Sequence, residues 1–232
     1  GVTPVIFTSQ IDGHCADDIP VVQIPHLGLR WRDRLRARFG DVTLEGNRLV
    51  ARDLAAAISK TSREYPLDAL LMEETQGWAS MLRDYVSVPV FVVLHGPWVL
   101  HKELQSKGST EEDLKREARE NQGFMSAAGW IAPSQSVLDA VEAALPLADK
   151  PRIVLPNTLL VDPATPLAVQ QATDDILFVG RFDLHKGGDT VLDAFVQLTE
   201  THPQARLTFA GVDNGVQQPD GARLHLETVL PD

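Results

Sequence analysis

The sequence predicts an α/β protein in which helices cover parallel β-sheets, arranged as two successive units. Short apolar runs alternate with amphipathic stretches of helical length along most of the 232 residues. The run from Pro89 to Leu94 is almost continuously apolar and rich in β-branched residues, as expected for a parallel strand buried on both faces. Pro156, Pro163 and Pro166 interrupt the alternation, which then restarts.

The periodicity of apolar residues predicts the elements of the first unit. Strands are predicted over residues 2–8, 21–24, 67–72, 89–94, 130–132 and 152–155. Helices are predicted over residues 29–39, 49–64, 77–85, 111–128 and 135–145. Ser134 is expected to cap the last of these helices, and Pro146 is expected to end it.

The second unit follows a stretch without clear periodicity, from Pro156 to Thr173, which we interpret as a linker. We therefore predict two domains, over residues 1–165 and 166–232. The second is expected to hold strands at 176–180, 206–211 and 223–229 and a helix at 187–201. These elements form about half of a usual α/β domain, so we expect the chain to be an incomplete piece of a longer protein.

Composition and charge exclude several classes of function. The formal net charge of −11 makes general nucleic-acid binding a poor expectation, although a small basic pocket for a diphosphate stays possible. Cys15 is the one cysteine, so no intramolecular disulfide can form and no thiolate-rich zinc site is expected. No apolar run is long enough to span a bilayer. A reducing, cytoplasmic location fits this composition.

A candidate phosphate site follows the first predicted strand of the second unit. Gly180 ends that strand, Arg181 comes next, and Lys186 precedes two glycines, Gly187 and Gly188, that open a helix. Ligands of open α/β sheets bind at the carboxyl ends of strands, where glycines let the backbone approach them. Arginine grips phosphate oxygens with a fork of donors, and lysine adds a point charge. On these residues alone, a solvated loop is the alternative.

The run GRFDLHKGGDTVLDAFVQLTETHPQARLTFAG resembles the pattern of glycosyltransferase family four. In that pattern Gly-Arg, a short spacer and Lys-Gly precede a helix with a Leu-x-Ala-Phe core, and a His-Pro, an Arg-Leu strand and an Ala-Gly or similar ending follow. The matching residues are Gly180, Arg181, Lys186, Gly187, Leu192, Ala194, Phe195, Pro203, Leu207 and Gly211. The resemblance implies a GT-B-like fold of two Rossmann-like domains, the second one incomplete. It also implies that Arg181 and Lys186 bind the donor's diphosphate and stabilise the departing nucleoside diphosphate.

The first unit is similar to the acceptor-side domain of that family. The stretch VVLHG resembles a family strand that ends in a histidine, which here is His95, before Gly96 and Pro97 turn the chain. The resemblance implies that His95 contacts the donor sugar or its phosphate, without having to act as a general base. The alternative is that His95 is a structural or surface histidine.

Two further stretches resemble family elements more loosely. IAPSQSV is similar to a strand-to-helix step in which Ser134 is most simply a helix cap. LPNTLLVDP resembles an interdomain Pro-Asn-Gly-Val-Asp element, but Thr158 replaces the glycine and the spacing from Asn157 to Asp162 is stretched. Asn157 is expected only to shape a turn.

Other charged residues are more simply interpreted as non-catalytic. Glu73 and Glu74 follow a predicted strand, and consecutive strand residues point opposite ways, so at most one of them would face a cleft. We favour a non-catalytic interpretation of both. The region 102–120 mixes basic and acidic residues, which is typical of a solvated helix face, with peripheral membrane contact as the minority alternative.

The resemblance implies a retaining enzyme of the hexosyltransferase type. It would move a sugar from a UDP-, GDP- or ADP-sugar to a hydroxyl of an acceptor glycan, lipid or small molecule, with no metal and no cofactor. His95, Arg181 and Lys186 would be its catalytic residues, and Gly180, Arg181, Lys186 and Gly187 would line the donor site. The alternatives are a non-catalytic binding module, a sugar-nucleotide epimerase and a sugar phosphorylase of the same architecture.

Two family elements have no match in the sequence. A Gly-rich loop would precede a strand like 2–8, and a pair of glutamates would lie beyond a strand like 223–229. We therefore expect residues to be missing before Gly1 and after Asp232, and weak or no transferase activity from this polypeptide alone.

Overall fold

A computed structural model describes residues 2–12, 18–25, 31–39, 41–100, 110–146, 149–158, 174–218 and 221–229. These residues separate into a first unit that ends at Thr158 and a second unit formed from Asp174 onward. The predicted domain boundary at 165/166 and most of the predicted linker lie outside the described residues.

Parallel strands organise the first unit. The strands are β1 (Ile6–Thr8), β2 (Val21–Gln23), β3 (Leu70–Glu73), β4 (Val90–Val93), β5 (Gly129–Ala132) and β6 (Arg152–Val154). Strands β3, β4, β5 and β6 lie in that order in one sheet, and all neighbours are parallel. Strands β1 and β2 form a separate parallel pair. Parallel sheets with intervening helices confirm the predicted α/β class, and they bring the carboxyl ends of β3 and β4 to the same edge.

Helices connect these strands. They are α1 (Trp31–Phe39), α2 (Val42–Thr61), α3 (Trp78–Leu82), α4 (Glu111–Ser126) and α5 (Gln135–Ala144), with 3-10 turns at Thr75–Gly77 and Trp98–Leu100. Three of them begin at capping side chains: Asp41 accepts from the amide of Leu44, Thr110 forms a capping box with Asp113, and Ser134 accepts from the amide of Val137. The prediction that Ser134 caps a helix is therefore confirmed.

The core of the first unit lies against one face of its four-stranded sheet. On β4 the side chains of Val90, Val92 and the adjacent Leu94 are buried, whereas Phe91 and Val93 are only half-buried. Burial on both faces was expected, and among the described residues only one face is fully covered. The fully buried side chains of this core include Leu82, Val92, Leu94, Phe124, Trp130 and Val141.

The second unit is built on one parallel strand pair. Its elements are β7 (Asp175–Val179), a 3-10 turn (Leu184–Lys186), α6 (Gly188–Thr199), β8 (Arg206–Ala210), β9 (Val216–Gln217), β10 (Arg223–Leu224) and α7 (Leu226–Val229). Strands β7 and β8 are parallel, and β9 and β10 are antiparallel. The predicted strand 223–229 is wrong beyond Leu224. A carboxylate oxygen of Asp213 accepts the amide of Leu226 at 2.8 Å and so starts a helical turn instead of a longer strand.

Strand β7 is less buried than the sequence suggests. Leu177 is 63% exposed and Val179 is 75% exposed, although the apolar run predicts a buried strand. Within the described residues, β7 pairs with β8 alone, so much of its surface is left uncovered. Phe182, Leu192 and Val216 form the small buried core of this unit.

None of the described helices combines the length and the low polarity that a passage through a lipid bilayer requires.

Candidate functional site

Arg181 follows directly after the end of β7. The strand pairing continues past Gly180, because the amide of Phe182 donates to the carbonyl of Val212 at 2.9 Å. Phe182 is buried in the core of the second unit. Since neighbouring side chains of an extended segment point to opposite sides, Arg181 is directed away from this core, and its side chain is 51% exposed. The arginine is thus presented to solvent at the carboxyl end of a parallel strand.

The buried Asp183 organises both candidate cations. Its Oδ2 lies 3.0 Å from Nε of Arg181. Its Oδ1 accepts the backbone amide of Lys186 at 3.0 Å and so caps the 3-10 turn Leu184–Lys186. One carboxylate therefore fixes the direction of the arginine side chain and the backbone position of the lysine.

The Cβ of Lys186 lies directly beside the end of β7. A Cβ added to Gly180 would lie 3.7 Å from Cβ of Lys186. The lysine is exposed, and no carboxylate of the described residues forms an ion pair with its ammonium. Gly187 follows with φ +69°, a left-handed conformation that side chains rarely adopt, and α6 begins at Gly188. The structure therefore brings together Gly180, Arg181, Lys186 and Gly187 at the end of β7.

The neighbouring strand end fits closely against this loop. A Cβ on Gly211, which follows β8, would lie 2.0 Å from the carbonyl oxygen of Gly180. A Cβ on Gly188 would lie 2.6 Å from the ring of Phe182. These glycines are thus required by close packing between the strand ends and the turn, and they keep the backbone of the candidate site in place.

Asp213 lies beside the loop, since it forms a parallel bridge with Phe182. Its carboxylate accepts the amides of Gly215 at 2.9 Å and Leu226 at 2.8 Å, and it lies 3.2 Å from Nδ1 of His225. Burial raises the pKa of Asp213, but the two amides and the imidazole outweigh that effect, and its pKa is lowered below 3.8. Asp213 therefore holds the segment after β8 in its conformation.

His95 lies in the first unit, at the carboxyl end of β4. Its Nε2 is 3.6 Å from Oε1 of Glu73, and both side chains are exposed. The structure places His95 where the sequence predicts, one residue after the buried Leu94. This candidate residue therefore stands at a sheet edge where ligands commonly bind.

The two adjacent glutamates occupy opposite environments. The side chain of Glu73 is 65% exposed, whereas Glu74 is only 7% exposed. One oxygen of Glu74 accepts the backbone amide of His95 at 3.0 Å, and the other accepts that of Gly96 at 2.8 Å. The sequence did not indicate this contact, because the alternation of a strand shows that the two glutamates diverge without showing which of them turns inward.

Sequence reasoning also missed Asp183. The available signal was a residue type that commonly caps helical turns, placed three residues before Lys186. Asn157 and Thr158 lie exposed beyond β6, and Asp162 lies outside the described residues, so the interdomain role suggested for this element stays a prediction.

No described group of three or more histidine, cysteine, aspartate or glutamate side chains is arranged to hold a metal ion.

Comparison with known proteins adds a family match in the second unit. Residues 166–228 match the sequence profile of the family described as Glycosyl transferases group 1. The match contains Gly180, Arg181, Lys186 and Gly187, and it covers much less than half of the chain. None of the curated proteins matches the sequence.

Among solved structures, the chain is similar to Medicago truncatula UGT71G1, which was crystallised in complex with UDP-glucose. The TM-score is 0.41 and the sequence identity is 10%, over 90% of this chain and 65% of that one. The chain thus spans somewhat less than two thirds of the length of that structure.

Proposed function

We propose that the second unit binds the diphosphate of a nucleotide sugar, and that the protein to which this chain belongs transfers the sugar to an acceptor hydroxyl with retention of configuration. One observation carries the proposal: Arg181 follows the end of β7, Lys186 lies in the turn beside it, and the carboxylate of Asp183 contacts the side chain of Arg181 and the backbone amide of Lys186. The match of residues 166–228 to glycosyl transferases supports the class of reaction.

The geometry suits a diphosphate in charge and in shape. Asp183 engages Arg181 through Nε, the inner nitrogen of the guanidinium, so the fork of the two terminal nitrogens is left for a ligand. The ammonium of Lys186 supplies a second positive charge. Helix α6 begins two residues after Lys186, and its amino end adds a partial positive charge. Each hydrogen bond to a charged group contributes about 1.5–3 kcal/mol.

The same groups have a direct use in transfer. When the bond between sugar and diphosphate breaks, negative charge develops on the departing phosphate oxygens. Donors held in place before the reaction stabilise that charge without having to reorganise. Arg181 and Lys186 perform this role in the proposed reaction, since Asp183 holds the side chain of Arg181 and the backbone of Lys186.

His95 is proposed to contact the donor sugar or its phosphate. A neutral imidazole and an imidazolium both offer a hydrogen-bond donor to an oxygen-rich ligand. Its exposed position at the end of β4 supports this role. A UDP-, GDP- or ADP-sugar as donor, a hexose as the transferred sugar and a cytoplasmic location are part of the same proposal. The acceptor is a glycan, a lipid or a small molecule.

Calorimetry with UDP, GDP and ADP tests the binding part of the proposal. We expect the protein to prefer one of the three nucleotides, and Arg181→Ala and Lys186→Ala each to weaken its affinity by roughly tenfold or more. Arg206→Ala is the matched control, because Arg206 is an exposed arginine of the same unit at the opposite end of β8.

In the intact enzyme, Arg181→Ala and Lys186→Ala should each abolish turnover while the fold is preserved. Unchanged kinetics in either variant would contradict the proposed mechanism. Absence of binding to all three nucleotides would favour a non-catalytic module.

A further inference from the structure

The loop that carries His95 is held at its start by one side chain. The carboxylate of Glu74 accepts two successive backbone amides, that of His95 at 3.0 Å and that of Gly96 at 2.8 Å. Two hydrogen bonds from adjacent peptide groups to one carboxylate fix the peptide plane between His95 and Gly96. The direction in which the imidazole leaves the backbone is set by that plane.

Glu74 is itself directed inward by an unusual turn. Gln76 and Gly77 both have positive φ, +56° and +70°, and Gln76 is not a glycine. Such a conformation persists only when its surroundings hold it. The side-chain oxygen of Gln76 accepts from Arg119 at 3.0 Å and from Asn47 at 3.3 Å. Helices α4 and α2 therefore hold the turn that follows Glu74.

Gly77 shows how closely this turn is packed against α4. A Cβ at this position would lie 2.0 Å from the carbonyl oxygen of Arg119. No larger residue fits there without movement of the backbone. The turn that places Glu74 at the end of β4 therefore has little freedom to move.

A second buried carboxylate holds the far end of the same loop. Glu120 is only 1% exposed, and one of its oxygens accepts the amide of Trp98 at 2.8 Å. Its other oxygen accepts Nε of Arg116 at 2.8 Å, and the guanidinium of Arg116 lies 4.2 Å from the centre of the Trp98 ring. The backbone from His95 to Trp98 is thus fixed at both ends by carboxylates from other elements.

We infer that Glu74 is a positioning residue, whose carboxylate sets the backbone of His95 and Gly96 and thereby places the His95 imidazole for its ligand. The inference rests on the role proposed for His95. Burying a carboxylate is costly, and a well-packed apolar side chain often gives equal or greater stability. A buried carboxylate, unlike an apolar side chain, accepts the amides of His95 and Gly96 and so fixes the backbone at the candidate residue His95.

Glu73 supplies the matched control, because it is the adjacent glutamate, is exposed, and touches His95 only through the ring. Amide hydrogen exchange, measured by NMR on the 232-residue chain, tests the two backbone bonds. Glu74→Gln should speed exchange at Gly96 by roughly ten- to a hundredfold, the range expected for a lost hydrogen bond to a charged group, and Glu73→Gln should leave it unchanged. Unchanged exchange at Gly96 in Glu74→Gln would overturn the inference.

A structural role alone would loosen the backbone without affecting the ring. We therefore expect the His95 ring signals to broaden in Glu74→Gln, while those of the exposed His202 in the second unit stay the same. Glu74→Asp, which keeps the charge with a shorter reach, should give an intermediate result, and it serves if Glu74→Gln fails to fold. If Gly96 exchanges fast in a variant while the ring signals of His95 stay sharp, Glu74 has only a structural role.

A double-mutant cycle links Glu74 to ligand binding. If Glu74 acts through His95, the losses of donor affinity in Glu74→Gln and His95→Ala will not add in the double variant, whereas independent effects will add. Additive losses would overturn the positioning role. Should His95→Ala leave donor affinity unchanged while Gly96 exchange still responds to Glu74→Gln, the role proposed for His95 fails and the backbone contact stands.

Discussion

Arg181 and Asp183 form an ion pair in which Nε and Oδ2 lie 3.0 Å apart, and the same carboxylate accepts the amide of Lys186. An ion pair whose arginine is half-exposed contributes little to stability by itself. Its importance here is geometric, because it restricts the rotamers of an arginine that would otherwise sample many directions. The candidate phosphate site is therefore partly organised before any ligand arrives.

Arg181→Lys is the most informative change at this pair. Lysine keeps the positive charge but offers neither a fork of donors nor an Nε for Asp183. We expect the affinity for the preferred nucleoside diphosphate to fall about tenfold, with no change in the circular dichroism spectrum. Calorimetry on the wild type, Arg181→Lys and Arg206→Lys measures this. Full affinity in Arg181→Lys would show that only a point charge is needed at residue 181.

Gly211→Ala should damage the strand ends that carry the site. The new Cβ would lie 2.0 Å from the carbonyl oxygen of Gly180, so the backbones of β7 and β8 must move apart. We expect a loss of about 1–3 kcal/mol in the free energy of unfolding, which is the usual cost of overpacking. Denaturant unfolding followed through NMR signals of β7 and β8 gives the value.

Gly46→Ala is the control for the exchange of glycine for alanine. Gly46 lies inside α2, and a Cβ there would meet nothing within 4 Å. We expect a gain of about 0.5–1 kcal/mol, because alanine favours the helix and restricts the unfolded chain. An unchanged stability in Gly211→Ala would contradict the close contact between Gly211 and Gly180, and a loss of stability in Gly46→Ala would contradict the open space beside Gly46.

Asp213 should make the stability of the second unit depend on pH in the acidic range. Its pKa is lowered below 3.8 in the folded chain, where burial opposes the charge but the amides of Leu226 and Gly215 and the His225 ring favour it. Its contribution is therefore complete above the unfolded pKa, about 3.8, and is lost as the pH falls through the lower folded value. Asp213→Asn should be less stable than the wild type at neutral pH, and the difference should shrink as the pH falls through the lowered pKa of the folded chain. Amide exchange in β9 and β10 across this range measures the difference, and a constant difference would exclude this linkage.

Glu120→Ala should be among the most damaging substitutions in the first unit. It leaves the amide of Trp98 and the half-buried guanidinium of Arg116 without the buried carboxylate that both contact. We expect the free energy of unfolding to fall by about 2–4 kcal/mol. Tryptophan fluorescence during denaturant unfolding reports the change. Glu73→Ala, the exposed control, should cost about 0.5 kcal/mol or less.

The sequence allowed the class of fold to be predicted, and also the position of two cations after β7, because both depend on local pattern. Strand β4 is visible as an apolar β-branched run, the cap at Ser134 as a residue type before a helix, and Arg181 and Lys186 as charges after a strand. The helical turn at Leu226 was missed because it depends on Asp213, thirteen residues earlier, whose carboxylate accepts its amide. Apolar periodicity over so short a segment does not distinguish a strand from a turn of helix.

Contacts between distant residues account for the other gaps. The hydrogen bond that the amide of Gly96 donates to Glu74 joins residues that are far apart in the chain, and it depends on a turn held by Arg119 and Asn47. No spacing in the sequence indicates such an arrangement. The contact of Gly211 with Gly180 is likewise produced by the register of β7 with β8.

The carboxylate of Glu74 has a consequence for any structure determined from crystals. Successive backbone amides without a protein acceptor commonly bind sulfate or phosphate from the crystallisation solution. At the end of β4 the protein supplies its own anion, so the amides of His95 and Gly96 are closed to such ions. Density for a soaked oxyanion is expected instead beside Arg181 and Lys186. Because Glu74 already orders the backbone of His95 and Gly96, a ligand at this strand end would not have to order it on binding.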